Sequence, residues 1–333
     1  MKALCGWSLG EYCTEARNRQ RGRPMAEKPR MAPTDRRRLI TYYAIACGWT
    51  WALWIPGIVH SARTGITLPT LIDGTDAWSA LSTTDLTYAV MFQLAVYGPL
   101  IAALAVLLFT GSRLDLRNWA RSLVRIRVNW RWYAFVALWP LAIALLVVLI
   151  ASAMAGQAPS LPTAALLAPL PLAFVVQLFT SGLEEPGWRG YALPLISKTR
   201  DADRANWLLG LLWAAWHFPF VIYLNLEAPL FAIPLTLAGF TMSIIAMTFV
   251  HAWVYYSTGS VFLSILLHSW ANVTNPLAAS LLPDDPAAAG ISGIATAGLA
   301  WLFVVWLNRR YGRATLRASA DSPWKVPERT TAS

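Results

Sequence analysis

Residues 163–190 read TAALLAPLPLAFVVQLFTSGLEEPGWRG. The first twenty carry no charge; then Glu184, Glu185 and Arg189 arrive together. About 20 apolar residues suffice to cross the hydrocarbon core of a bilayer as a helix. Ionisable groups beside such a span are costly and usually face one another or an interior cavity. A span that runs into a polar site sets the expected fold class: an all-α polytopic membrane bundle.

The rest of the chain agrees with that class. Of 333 residues, 56% are hydrophobic and 13% charged, where soluble domains carry roughly a quarter charged residues. Eight stretches are apolar enough to be read as spans, at roughly 39–60, 87–109, 132–154, 163–182, 205–224, 229–250, 260–282 and 289–307. Residues 1–37 are expected to be a disordered basic segment and 38–308 the transmembrane bundle. Within it, 160–285 forms a polar-site core, and 309–333 is a basic tail. The N-terminus lacks the apolar run and small-residue cleavage site of a secretory signal. Cys5, Cys13 and Cys47 form neither a CxxC pair nor an even framework, so no disulfide scaffold or cysteine zinc site is indicated.

The net charge of +10 is placed for topology rather than for nucleic acid. Residues 1–38 hold ten Lys/Arg, and 111–131 hold six arginines (Arg113, Arg117, Arg121, Arg125, Arg127 and Arg131). The connection 183–204 and the C-terminal tail are basic too, whereas the intervening connections 61–86, 155–162, 225–228 and 283–288 are poor in basic residues. The uncharged turn 255–259 is the one exception. Cytoplasmic loops of membrane proteins are the basic ones, so both termini are expected in the cytoplasm, in a bacterial plasma membrane. Many of the 18 tryptophans fall near span ends, as an interfacial aromatic belt does. The 111–131 stretch alternates arginine with apolar residues and reads as an amphipathic segment on the inner leaflet, attracted to anionic lipid.

Few ionisable groups remain at membrane depth: Glu184, Glu185, Arg189, His217, His251 and His268, with Asn272 and Asn275 nearby. Glu185 and Arg189 are four apart and can pair along one helix face, which leaves Glu184, rotated by about 100°, free for chemistry. Pro186 suggests a kink or a fresh helix start. His217, and His268 with Asn272 four residues on, come from two other spans. One carboxylate and two imidazoles suit a catalytic zinc with an open water position, and a carboxylate can also serve as general base. His251 has no partner at helical spacing and reads as a packing or interfacial residue, and His60 falls at the outer edge of the first span. No HExxH occurs, and the spans hold neither a GxSxG nor an aspartate. The residues alone leave three readings open: a hydrolase, a non-catalytic scaffold or immunity factor held together by a buried polar network, and a proton-coupled transporter.

The ordered set Glu184-Glu185-x-x-x-Arg189, Trp213-x-x-x-His217 and His268-x-x-x-Asn272 resembles the CPBP (Abi) family of intramembrane metalloproteases, which includes the type II CAAX prenyl endopeptidases. The stretch YYSTGSVFLSILLHSWAN (255–272) is similar to that family's approach to its last motif. The resemblance covers roughly 160–285. It implies about eight helices around a cavity open to the cytoplasm, with Glu184 activating water and Glu185 and Arg189 in support. It places His217 and His268 with Glu184 at a divalent metal, Zn2+ by preference, or at the water itself, and Asn272 at the oxyanion. The implied substrate is a peptide or lipid-modified protein in the membrane. One position departs from the family, whose second motif commonly opens on Phe where this chain has Trp213.

Overall fold

The computed structural model describes residues 31–68 and 82–316. Among them there is no strand. The helices are α1 (Pro33–Thr64), α2 (Thr83–Leu94), α3 (Gly98–Thr110), α4 (Arg113–Leu123) and α5 (Trp130–Ala155). After these come α6 (Ala164–Leu167), α7 (Leu170–Phe179), α8 (Glu185–Gly187), α9 (Leu193–Ser197), α10 (Ala202–Tyr223), α11 (Ala232–Thr258), α12 (Val261–Leu281) and α13 (Pro286–Tyr311). A single 3-10 turn, Ala95–Tyr97, joins α2 to α3, so Thr83–Thr110 works as one long rod.

Local chemistry sets these boundaries. Ser82 with Asp85, and Ser112 with Asp115, form reciprocal caps at the starts of α2 and α4. Asp201, Ser260 and Asp285 each accept a backbone N–H at the starts of α10, α12 and α13. Gly65, Gly156 and Gly259 close α1, α5 and α11 in the left-handed conformation.

Among the described residues, six helical stretches are long and apolar enough to cross a membrane: Thr83–Thr110, Trp130–Ala155, Ala164–Ser197, Ala202–Tyr223, Ala232–Thr258 and Pro286–Tyr311. The chain is therefore a helical membrane bundle, and the expected count of eight spans stands at six by this measure. The other two candidates are α1, which opens on Asp35 and Arg36–Arg38, and α12, which carries His268, Asn272 and Asn275. In α1 the Tyr, Trp and Thr residues of its apolar run, and in α12 the histidine and asparagines, dilute the apolar signal, yet both pack within the bundle. The most extensive packing joins α10 to α11, α1 to α3, and α5 to both α12 and α13.

Two boundaries differ from expectation. Helix α1 begins at Pro33, so the last residues of the segment expected to be disordered, 33–37, are helical. A proline in the first turn lacks only an N–H that has no intrahelical partner there. Residues 1–30 of that segment, and the tail from 317, lie outside the described residues.

The fourth span does not stop at Gly182. The chain stays helical to Ser197 but changes its winding three times: a 3-10 turn at Ser181–Glu184, an α turn at Glu185–Gly187 and a π turn at Trp188–Ala192. The break falls at Thr180 (φ −116°, ψ −100°), ahead of the proline rather than at it. Pro186 then occupies a first turn, where its ring and missing donor cost little. Most of 183–197, expected as a connection, is thus buried protein interior.

Candidate active site

The three changes of winding re-aim successive side chains, and π turns of this kind are often found at functional sites. They turn Glu184, Glu185 and Arg189 all inward, with side chains at most 4% exposed. Close approach of the backbone makes this possible. A Cβ on Gly187 would lie 2.4 Å from the carbonyl oxygen of Pro99 in α3, so only glycine lets this turn seat against that helix. Trp119 of α4 braces it from outside by donating its indole N–H to the Pro186 carbonyl at 2.9 Å.

The two carboxylates have different surroundings. Glu185 Oε1 accepts from Arg189 Nη1 at 2.9 Å and from His268 Nδ1 at 2.8 Å. Its Oε2 lies 3.6 Å from Nδ1 of His251. A buried carboxylate held by a guanidinium and two imidazoles is a structural anchor: its charge is matched and its lone pairs face protein. Glu184 has one neutral donor, the indole N–H of Trp213, at 2.9 Å from Oε2. His217 Nε2 stands 3.9 Å from the same oxygen. Glu184 borders a cavity of about 450 Å³ that is also lined by Trp213, His217, His251, His268 and Asn272. Of the two, Glu184 is the carboxylate with capacity left for a ligand in that space.

Trp213 joins the parts of the site. Beyond its bond to Glu184, its ring lies 4.1 Å from the Arg189 guanidinium carbon, a cation–π distance. Edges of the His217, His251 and His268 rings pack around it at centroid separations of 5.8, 6.0 and 5.5 Å.

The histidine tautomers follow from their partners. His217 Nδ1 sits 2.9 Å from its own helix's Trp213 carbonyl. A carbonyl only accepts, so Nδ1 carries the proton and Nε2 offers a lone pair toward Glu184. His268 donates from Nδ1 to Glu185 in the same way, leaving Nε2 for the cavity. The Asn272 amide donates to Ser181 Oγ at 2.9 Å, and that hydroxyl in turn bonds Gln177. A hydrogen-bonded chain therefore lines the wall beside the break at Thr180.

Of the two roles expected for His251, packing or interfacial, the structure has the first. It is fully buried, not interfacial, and lies against Glu185 and the cavity. Neither of its ring nitrogens makes a hydrogen bond among the described residues. Its partners are about sixty residues upstream, at Glu185, and in α12, so no spacing within α11 could reveal them. His60 lies elsewhere, 2.5 Å from Asp85 at the start of α2.

The trio expected to bind metal, Glu184, His217 and His268, shares the cavity wall. Among the described residues, however, no three His, Cys, Asp or Glu side chains gather closely enough to hold a metal ion. His268 has turned Nδ1 toward Glu185, and the Glu184 oxygen nearest His217 already accepts from Trp213. In this arrangement the donors do not fit a metal.

Residues 165–274 match the family model described as Type II CAAX prenyl endopeptidase Rce1-like. That stretch contains every residue of the site from Glu184 to Asn272. Residues 165–274 are similar to the CAAX proteases. CAAX prenyl protease 2 of Methanococcus maripaludis is 29% identical over 113 residues, which cover 33% of this chain and 41% of that protein. The chain thus spans about two-fifths of the length of the curated relative it matches. The CAAX-protease-like region is the part that winds three ways around the two glutamates and carries the cavity.

Proposed function

We propose that this chain is an intramembrane endopeptidase that hydrolyses a peptide bond of a membrane-associated, lipid-modified protein. The observation that carries the reading is the inequality of the two glutamates. Glu185 is held by Arg189 and His268 through one oxygen, with His251 beside the other, while Glu184, with one neutral hydrogen bond, borders the cavity. The printed name of the relative adds a prenylated CAAX-type substrate. The aromatic wall of the cavity, with Trp54, Trp139 and Phe240, suits an apolar group beside the scissile bond.

In this reading Glu184 takes a proton from a water molecule as the water oxygen attacks the peptide carbonyl. The new C–O bond forms, the carbonyl oxygen becomes an oxyanion, and the Asn272 amide on the cavity wall is the donor assigned to receive it. Glu184 then returns its proton to the leaving nitrogen as the C–N bond breaks. The Nε2 lone pairs of His217 and His268 accept hydrogen bonds from the attacking water and orient it. Assistance by a divalent metal such as Zn2+ would require Glu184, His217 and His268 to rearrange first, since as placed they do not gather around one ion. The alternation of basic and non-basic connections supports both termini on the cytoplasmic side of the membrane, which in this reading is a bacterial plasma membrane.

The test is cleavage of a farnesylated CaaX peptide and its unmodified counterpart by the purified chain, beside Glu184→Gln. Cleavage by the wild type and none by the variant supports the assignment. Equal cleavage by both removes Glu184 from the chemistry, and none by either favours a structural network. Mass spectrometry of metal content, wild type against His217→Ala/His268→Ala, decides the metal: near-stoichiometric zinc lost in the double variant favours a metal-assisted route.

A further inference from the structure

The arginines between α3 and α5 have no role in the site. Arg113, Arg117, Arg121, Arg125, Arg127 and Arg131 are all exposed. Among the described residues, none of their side chains forms a hydrogen bond or an ion pair. The acid within the segment, Asp115, is engaged by the backbone N–H of Ser112 at 2.9 Å. Six arginines against one aspartate leave a net charge of +5 on 19 residues, a strong local positive field.

Their setting selects the partner. The segment joins two membrane-crossing rods, Thr83–Thr110 and Trp130–Ala155, so it lies at headgroup depth. Large apolar side chains are interleaved with the arginines: Leu114 is 62% exposed, Val124 72%, Ile126 54% and Trp130 70%. A nucleic-acid surface would have no use for exposed aliphatics, whereas a helix lying in the bilayer interface needs both kinds of group.

The segment is also fixed to the protein rather than loosely tethered. Helix α4 turns Trp119 inward to the Pro186 carbonyl. The Arg125 carbonyl accepts from Ser260 Oγ at 2.7 Å, and that same hydroxyl caps α12. The cations are therefore held in a fixed array on the turn that carries Glu184 and on the helix that carries His268.

We propose that residues 113–131 form a docking surface for acidic phospholipid headgroups, in which the array of arginines binds lipid phosphates while Leu114, Val124, Ile126 and Trp130 enter the acyl boundary. Cytoplasmic-leaflet attraction of this kind grows with each basic residue near the surface and is screened within a Debye length.

The experiment is thermal unfolding of the full detergent-solubilised chain with added dioctanoyl phosphatidylglycerol, against dioctanoyl phosphatidylcholine and soluble glycerol 1-phosphate. The readout is independent of proteolysis, so it stands or falls apart from the proposed activity. The expected result is a Tm raised by several degrees by phosphatidylglycerol alone, with most of the gain lost at about 1 M salt. Arg117→Gln/Arg121→Gln/Arg127→Gln should lose most of that gain while its Tm in phosphatidylcholine stays at the wild-type value. Equal gains from both lipids, an equal gain from glycerol 1-phosphate, or full retention by the triple variant would each overturn the proposal. If the triple variant does not fold, the lipid comparison and the salt titration on the wild type still decide.

Discussion

The indole N–H of Trp213 donates to Glu184 Oε2 at 2.9 Å, and the same ring packs under the Arg189 guanidinium. One side chain thereby links the carboxylate assigned to chemistry with the ion pair that anchors its neighbour. A phenylalanine here, common in the family this chain resembles, would keep the ring contact and lose the donor. Trp213→Phe therefore separates the two functions. Hydrogen bonds to charged groups are worth about 1.5–3 kcal/mol, so turnover on the cleaved peptide should fall by roughly one to two orders of magnitude. KM should move little, whereas thermal unfolding should show a loss of about 1–3 kcal/mol, because buried Glu184 loses its donor and phenyl is smaller than indole. Unchanged turnover would show that the bond does not position Glu184.

The Glu185–Arg189 pair is fully buried, and the two partners depend on each other. Removing one partner from such a pair costs about 3–5 kcal/mol, because the other charge is left without a match. Glu185→Gln and Arg189→Met should each lower Tm sharply in detergent. The double variant should be less damaged than the sum of the two, since no stranded charge remains. Strict additivity in a double-mutant cycle would contradict the pairing.

Gly187 has a similar dependence on a neighbour, this time steric. A Cβ there would lie 2.4 Å from the Pro99 carbonyl oxygen and 2.6 Å from its carbon. These are backbone atoms that rotate nowhere, so α3 and the turn carrying Glu184 must separate. Overpacking typically costs about 1–3 kcal/mol. Gly187→Ala should lose stability in that range and lose peptide cleavage more than its stability loss explains. Alanine at Gly239, where nothing lies within 4 Å, is the matched control and should be silent.

These relationships divide by sequence separation. The Glu185–Arg189 pair could be read from spacing because the two residues lie one turn apart on one strand of chain. So could the apolar spans and the amphipathic arginine segment, each being a local pattern. The position of the break was not legible: Pro186 drew attention, but the winding changes at Thr180, where packing against α3 and α12 outweighs local preference. The start of α1 was missed because charged residues masked a helix that begins before its apolar run. Trp213 was noted as an aromatic and His251 as packing, since their partners lie on other helices and leave no trace in local spacing.

The two imidazoles on Glu185 give the last prediction. His268 donates a hydrogen bond at 2.8 Å, whereas His251 stands 3.6 Å away with neither nitrogen bonded among the described residues. His268→Phe leaves a buried carboxylate oxygen short of a donor, at about 1–3 kcal/mol. His251→Phe keeps a ring of similar shape and forfeits only a longer electrostatic contact. Denaturant unfolding should therefore rank His268→Phe as clearly destabilising and His251→Phe as close to wild type. The opposite order would mean that His251, not His268, is the main imidazole support of Glu185.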